Sequence, residues 1–285
     1  MGHGPEQTGL LVGKESSIMR FVRFWHHDQV VYGILDNEEI QPLAGPPFAD
    51  RRPAGQRLPL AAVTLLAPCE PSKIIALGLN YRDHAAEMRM ALPDEPLIFM
   101  KPATSVIGPE AAIIMPRQSR RVDYEAELAV VIGRVARKVA VAEADEYIWG
   151  YTCLNDVTAR DLQKKDGQFT RSKSFDTFAP LGPWIETSLP EPEMVTVEAY
   201  VNGVRRQHSH IGNLMFGVAT LVSFISHIMT LLPGDVIATG TPSGVGPLHP
   251  GDVVEIRVGG IGSLSNPVIS DEDSGNPGPS ESGQL

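Results

Sequence analysis

The chain is short of cysteine, of positive charge and of long apolar runs, and each shortage removes a class of protein. Its two cysteines, Cys69 and Cys153, are too few for a disulfide framework, and neither belongs to a CxxC pair that would seed a Cys-rich zinc site. Lysine and arginine number 24 against 34 aspartates and glutamates, a net charge of −10. A chain of that sign repels phosphate backbones, so no nucleic-acid partner is expected. No stretch reaches the roughly 18 apolar residues of a membrane span. The longest candidate, Leu221 to Leu232, contains His227 and stops at Pro233. The N-terminus lacks a charged segment leading into an apolar run, so no signal peptide or membrane is expected and the compartment is expected to be the cytoplasm. EF-hand and His-rich zinc spacings are missing too.

What is present reads mostly as strand. With 285 residues and 42% hydrophobic composition, a large core is affordable. Residues 1–18 are polar and aperiodic and are expected to be a disordered extension, with Met19 as the edge of the fold. Arg20–Trp25 and Val30–Leu35 read as strands, the second followed by an Asp36-Asn37 turn, and Pro42–Pro59 as a loop or linker. Residues 19–70 are therefore expected to form a small β domain, and 71–270 the main domain. In the latter, strands are expected at Lys73–Leu77, Leu97–Met100, Glu127–Ile132, Gly150–Leu154, Val236–Thr239 and Val253–Val258. Helices are expected from Asp83, as N-cap, to about Met90, and from Asn213 to Leu232. Residues 271–285 carry acidic but no basic groups and are expected to be a disordered tail. Few helices among many strands exclude a Rossmann-type alternation.

The richest segment is Arg121-Val-Asp-Tyr-Glu-Ala-Glu-Leu128. Alternation along a strand puts Asp123, Glu125 and Glu127 on one face. Carboxylates converging to about 4 Å at an effective dielectric near 20 repel by about 4 kcal/mol. Raised pKa values, arginine partners or a divalent cation would offset that; a solvated face beside Arg121 is the plainer alternative. Asp156, at the end of the Gly150–Leu154 strand, offers a third carboxylate. An all-oxygen set of this kind suits Mg²⁺ or Mn²⁺, with Ca²⁺ also compatible.

Six ordered blocks then resemble the fumarylacetoacetate hydrolase superfamily: GLNYRDHAAE (78–87), PLIFMKP (96–102), VDYEAELAVVIG (122–133), GYTCLNDVTARD (150–161), KSFDTFAPLGPW (173–184) and TGTPSGVG (239–246). The resemblance, to an acylpyruvate hydrolase or 2-hydroxyhepta-2,4-diene-1,7-dioate isomerase type of member, implies an α+β, mostly β fold. That fold is a mixed β-sandwich roll with a few short helices. It also implies a homodimer, and it puts the metal ligands at Glu125, Glu127 and Asp156.

His84 and Glu87 lie three apart on the expected short helix, where Glu87 could fix the His84 tautomer and the pair could take a proton from water; an exposed polar helix is the alternative. The resemblance makes this element a lid and the pair a water activator. It directs Lys101 and Lys173, otherwise ordinary solvated lysines, at negative charge on the substrate. It makes Arg160 a carboxylate anchor and Gln163 a polar contact, where spacing alone also allows a structural Asp156–Arg160 pair. Thr239–Gly246 lacks the GxxxxGK[ST] of a P-loop and can be a plain turn; Thr241 is the residue expected against a substrate carboxylate. The function so implied is metal-dependent hydrolysis of a carbon–carbon bond in an acylpyruvate or related dicarbonyl acid. The alternatives are isomerisation of a 2-hydroxydienedioate and decarboxylation of an oxaloacetate-type acid, as in aromatic catabolism.

Overall fold

The computed structural model describes residues 19–88 and 91–274. The extension expected at 1–18, the end of the helix expected to reach Met90, and positions 275–285 of the expected tail lie outside the described residues. Strands predominate, in sheets of 12, five and three. Among the described residues four α-helices accompany them: α1 (Arg82–Met88), α2 (Arg160–Asp166), α3 (Thr170–Lys173) and α4 (Val218–Ile228). This is the mostly β, α+β fold expected. No helix among the described residues is long and apolar enough to cross a membrane.

At the centre lies Ala126–Ile132, every residue of it buried. It pairs antiparallel with Ile148–Asn155 on one side and Val236–Ala238 on the other. Lys73–Gly78 follows in parallel, and Leu97–Pro102 closes that edge. The continuous apolar run Leu128–Ile132 is what a strand covered on both faces requires. On one face, Ala126 and Leu128 pack toward the five-stranded sheet, while Val130 and Ile132 pack under Leu221, Val222 and Ile225 of α4. On the opposite face Ala129 and Val131 pack with Ile74, Ala76 and Leu154. Glu125 and Glu127 share the parity of that second face.

The N-terminal strands extend this same sheet: Arg20–His26 pairs with Ala179–Glu186 through Arg20↔Glu186 and Phe21↔Ile185. The loop-like stretch from Pro42 is folded down rather than loose. Leu43 bridges Pro53, and the Phe48 ring sits 4.0 Å from that of Trp149.

The structure corrects three element boundaries. α4 starts at Val218, not Asn213, because Asn80 captures the Met215 and Phe216 N–H groups with its carbonyl and side-chain oxygens. It ends at Ile228, not Leu232, because Leu231 exchanges both backbone hydrogen bonds with Ala136 at 2.9 Å. The tail expected from position 271 begins instead with a turn at Asp271–Ser274, tied by Arg117–Asp271 at 3.2 Å.

Candidate metal and substrate site

The strand expected to run unbroken through the carboxylates is interrupted at Glu125. Val122–Tyr124 belongs to the three-stranded sheet and Ala126–Ile132 to the large one. At the break Glu125 donates its N–H to the Asn155 side-chain oxygen at 3.0 Å, and its carbonyl accepts the Asp156 N–H at 2.9 Å. These two bonds set Glu125 beside Asp156. Glu125, Glu127 and Asp156 are buried, each with a carboxylate oxygen within 4.8 Å of the others.

Two buried lysines and the half-buried Arg160 surround them. Lys101, with no solvent exposure, donates to Asp156 at 2.6 Å and to the Val157 carbonyl at 3.2 Å. Lys173 donates to Glu125 at 2.8 Å and also to Asp156. Arg160 donates to Asp123 at 2.9 Å, to Gln163 at 2.8 Å and to Glu125. Asp123, before the break, is thus taken by Arg160 and by Arg121 at 2.9 Å. The Asp156–Arg160 pair allowed by spacing does not form: Asp156 precedes α2, its oxygens go to the two lysines, and Arg160 opens the helix facing Asp123 and Glu125.

Burial alone would raise the Glu125 carboxyl, but Lys173 and Arg160 outweigh it and hold it down at about 2. Burial, with the Asp156 and Glu125 charges beside it, pushes Glu127 well above the usual carboxylate range. Burial likewise lowers Lys101, against the pull of Asp156, whereas at Lys173 the Asp156 and Glu125 charges overcome burial and raise it. Three hard oxygen donors, one of them crowded by like charge, fit a divalent cation.

A cavity of about 190 Å³ opens beside the trio. Its polar wall holds His84, Glu125, Arg160, Gln163, Lys173 and Thr241, which are expected site residues brought together. Opposite lie Leu79, Leu97, Phe99 and Phe169, with the two phenyl rings perpendicular at 5.2 Å and Lys173 Nζ 5.0 Å from the Phe99 ring. No role on the cavity wall was expected for Phe99, and Phe169 was not singled out; a wall built from two distant elements leaves no local pattern.

α1 brings His84 to the wall of this cavity. His84 Nδ1 lies 3.2 Å from Glu87, whose carboxylate also accepts the Gly244 N–H at 3.2 Å. Asp83, expected as N-cap, is instead inside the helix, where it accepts the Ser209 hydroxyl at 2.7 Å. Thr241 reaches the cavity, but its hydroxyl hydrogen goes to the Ala126 carbonyl at 2.9 Å. A carboxylate bound at Thr241 would therefore compete with a backbone acceptor. Asn155 was missed: its Nδ2 is buried without a hydrogen-bond partner among the described residues. Gln207, which accepts the Ala126 N–H at 2.9 Å, has no motif to mark it in the sequence either.

Residues 73–269 match the family model for the fumarylacetoacetate (FAA) hydrolase C-terminal domain, and residues 19–68 match that of the Rv2993c-like N-terminal domain. The chain belongs to the fumarylacetoacetate hydrolase family. It is 42% identical over 219 residues to an oxaloacetate tautomerase, mitochondrial, of Xenopus laevis, spanning 73% of this chain and 69% of that one. Among solved structures, a 2-hydroxyhepta-2,4-diene-1,7-dioate isomerase from Mycobacterium marinum matches with TM-score 0.82 at 42% identity, covering 89% of this chain and 99% of the other. A maleylpyruvate hydrolase from Sphingobium sp. SYK-6, solved with manganese(II) and pyruvate, matches with TM-score 0.74 at 30% identity, over 88% and 99% of the two chains. The fumarylacetoacetate hydrolase family thus includes relatives named for isomerase, tautomerase and hydrolase reactions.

Proposed function

We propose that the protein is a divalent-cation-dependent enzyme that moves a proton at the carbon beside the keto group of a small 2-oxo acid, interconverting tautomers or double-bond isomers. The observation that carries this reading is His84, on the wall of the cavity that also holds the carboxylate trio, with its Nδ1 turned to Glu87 at 3.2 Å. Glu87 accepts the Nδ1 hydrogen, which leaves the Nε2 lone pair as the base. A cation held by Glu125, Glu127 and Asp156 supplies the Lewis acidity that stabilises enolate-type charge. Mg²⁺ is the proposed ion, with Mn²⁺ and Ca²⁺ as alternatives of the same hard, oxygen-seeking kind. Lys101 and Lys173 place fixed positive charge next to the trio, where negative charge on substrate oxygens would develop. Arg160 uses three of its five donors on Asp123, Gln163 and Glu125, leaving two for a substrate carboxylate. A cavity of about 190 Å³, below the roughly 300 Å³ of drug-sized sites, suits an acid of a few carbons.

Hydrolysis of a carbon–carbon bond in an acylpyruvate is the second reading. The same His84–Glu87 pair can take a proton from water, and the likeness to maleylpyruvate hydrolase favours it. Decarboxylation needs no base at His84. Proton transfer stands first because relatives named for isomerase and tautomerase reactions reach 47% and 42% identity, against 36% and 30% for two named as hydrolases.

A panel of oxaloacetate, an acylpyruvate and a 2-hydroxymuconate-type diacid, each with Mg²⁺ and with chelator, tests these readings. Tautomer or isomer interconversion is expected with Mg²⁺, to be lost with chelator and to fall by about 10²–10⁴-fold in His84→Ala. Turnover that survives complete metal removal contradicts every version. A homodimer is also proposed, with light scattering as its test.

A further inference from the structure

Ala126 lies between Glu125 and Glu127, at an edge where the large sheet runs out. Val236–Ala238 pairs with Ala129–Val131, and Thr239 still donates its N–H to the Leu128 carbonyl at 3.0 Å. At Gly240 the chain turns aside with φ of 99°. Beyond that point side chains meet the Ala126 peptide groups. Gln207, only 1% exposed and pointing inward from the strand Val204–His210, accepts the Ala126 N–H at 2.9 Å. Its Nε2 donates to the Pro242 carbonyl at 2.8 Å and to the Thr241 hydroxyl at 2.9 Å. Thr241 in turn donates to the Ala126 carbonyl at 2.9 Å. One carboxamide thereby joins the five-stranded sheet, the Thr239–Gly246 loop and the carboxylate segment.

We propose that Gln207 is a positioning residue for the metal site: through Ala126 it holds Glu125 and Glu127 at the convergence a divalent cation needs. The position asks for one acceptor and two donors at the end of a four-atom reach. Glutamate at this position keeps the acceptor but loses both donors, and methionine loses all three contacts. The inference rests on reading the trio as a metal site. Residues that orient metal ligands from behind affect affinity although they never touch the ion.

The test is a Mn²⁺ titration of the full, chelator-stripped chain, with free Mn²⁺ read by electron paramagnetic resonance. Parent, Gln207→Met, Gln207→Glu and Thr241→Val are compared, and circular dichroism confirms folding. The dissociation constant is expected to rise by about 10–100-fold in each variant. A purely structural role would lower the unfolding midpoint and leave Mn²⁺ affinity unchanged. Should Gln207→Met fail to fold, Gln207→Glu and Thr241→Val carry the same reading. Parent-like affinity in the folded variants overturns the role of Gln207 alone; a parent chain that does not bind Mn²⁺ overturns the metal-site reading with it.

Discussion

Asp123 and Glu125 stand two positions apart, both buried and both facing Arg160, yet they play different parts. Asp123 is neutralised by Arg121 and Arg160, whereas Glu125 shares Lys173 with Asp156 and converges with Glu127. Alternation in the sequence shows that the three acidic residues of the segment share a face, but not which of them a neighbouring arginine takes. Lys101 illustrates the consequence for stability. Its ammonium is fully buried on Asp156, so Lys101→Met leaves a buried charge with one partner fewer. Metal-free Lys101→Met is expected to lose about 3–5 kcal/mol in urea unfolding, with part of the loss recovered on adding Mg²⁺. Gln207 and Asn155 were illegible for another reason: an isolated amide in sequence carries no sign of the backbone group it will meet. The signal available for Gln207 was its inward parity in Val-Arg-Arg-Gln-His-Ser-His, where a polar residue must find a partner. Cys69 and Cys153 are buried, and burial raises both thiols to about 12. Neither is expected to react with a disulfide reagent at pH 8 until denaturant is added; prompt labelling of the native chain would show the core to be open there.

Among elements, the interior strands were the most legible. Val253–Val258 and Lys73–Gly78 follow their apolar patterns closely, because β-branched runs bounded by turns have few alternatives. Segments whose shape depends on distant partners were less so. Asn80 shortens α4 at its start and Ala136 at its end, and neither contact leaves a local mark. The break at Glu125 is likewise written in Asn155, 30 positions away. Gly240 shows how an element boundary serves the site. Its φ of 99° lets the strand turn aside while its N–H reaches Glu127 at 2.8 Å, and an added Cβ would lie 2.9 Å from that of Asn80. Gly240→Ala is therefore expected to cost about 1–3 kcal/mol in thermal or urea unfolding and to weaken divalent-ion binding. A variant of parent stability and affinity would mean that the turn adapts freely.

At the scale of the whole molecule, one large sheet carries both the N-terminal strands and the site strand, and the five-stranded sheet braces the carboxylates from behind through Gln207. The mostly β class followed from the abundance of short apolar runs, and the family from six ordered blocks. The seam between sheets, where Ala126 passes from one environment to another, could be found only in three dimensions. Burial and the neighbouring charges make ionised Glu127 costly, and a bound cation would relieve that cost. Binding at 100 times the dissociation constant is expected to add about 2.7 kcal/mol to unfolding, visible as a raised melting midpoint.

Glu127 tests the central claim most directly, since burial and the Asp156 and Glu125 charges destabilise its ionised form. Calorimetric titration of Mn²⁺ into the parent chain and into Glu127→Gln, with melting midpoints of both metal-free proteins, is the measurement. The expected result is one saturable ion per parent chain, at least 100-fold weaker binding on the order of a lost ligand in Glu127→Gln, and a metal-free variant no less stable than the parent. Undiminished Mn²⁺ binding by Glu127→Gln would contradict the account.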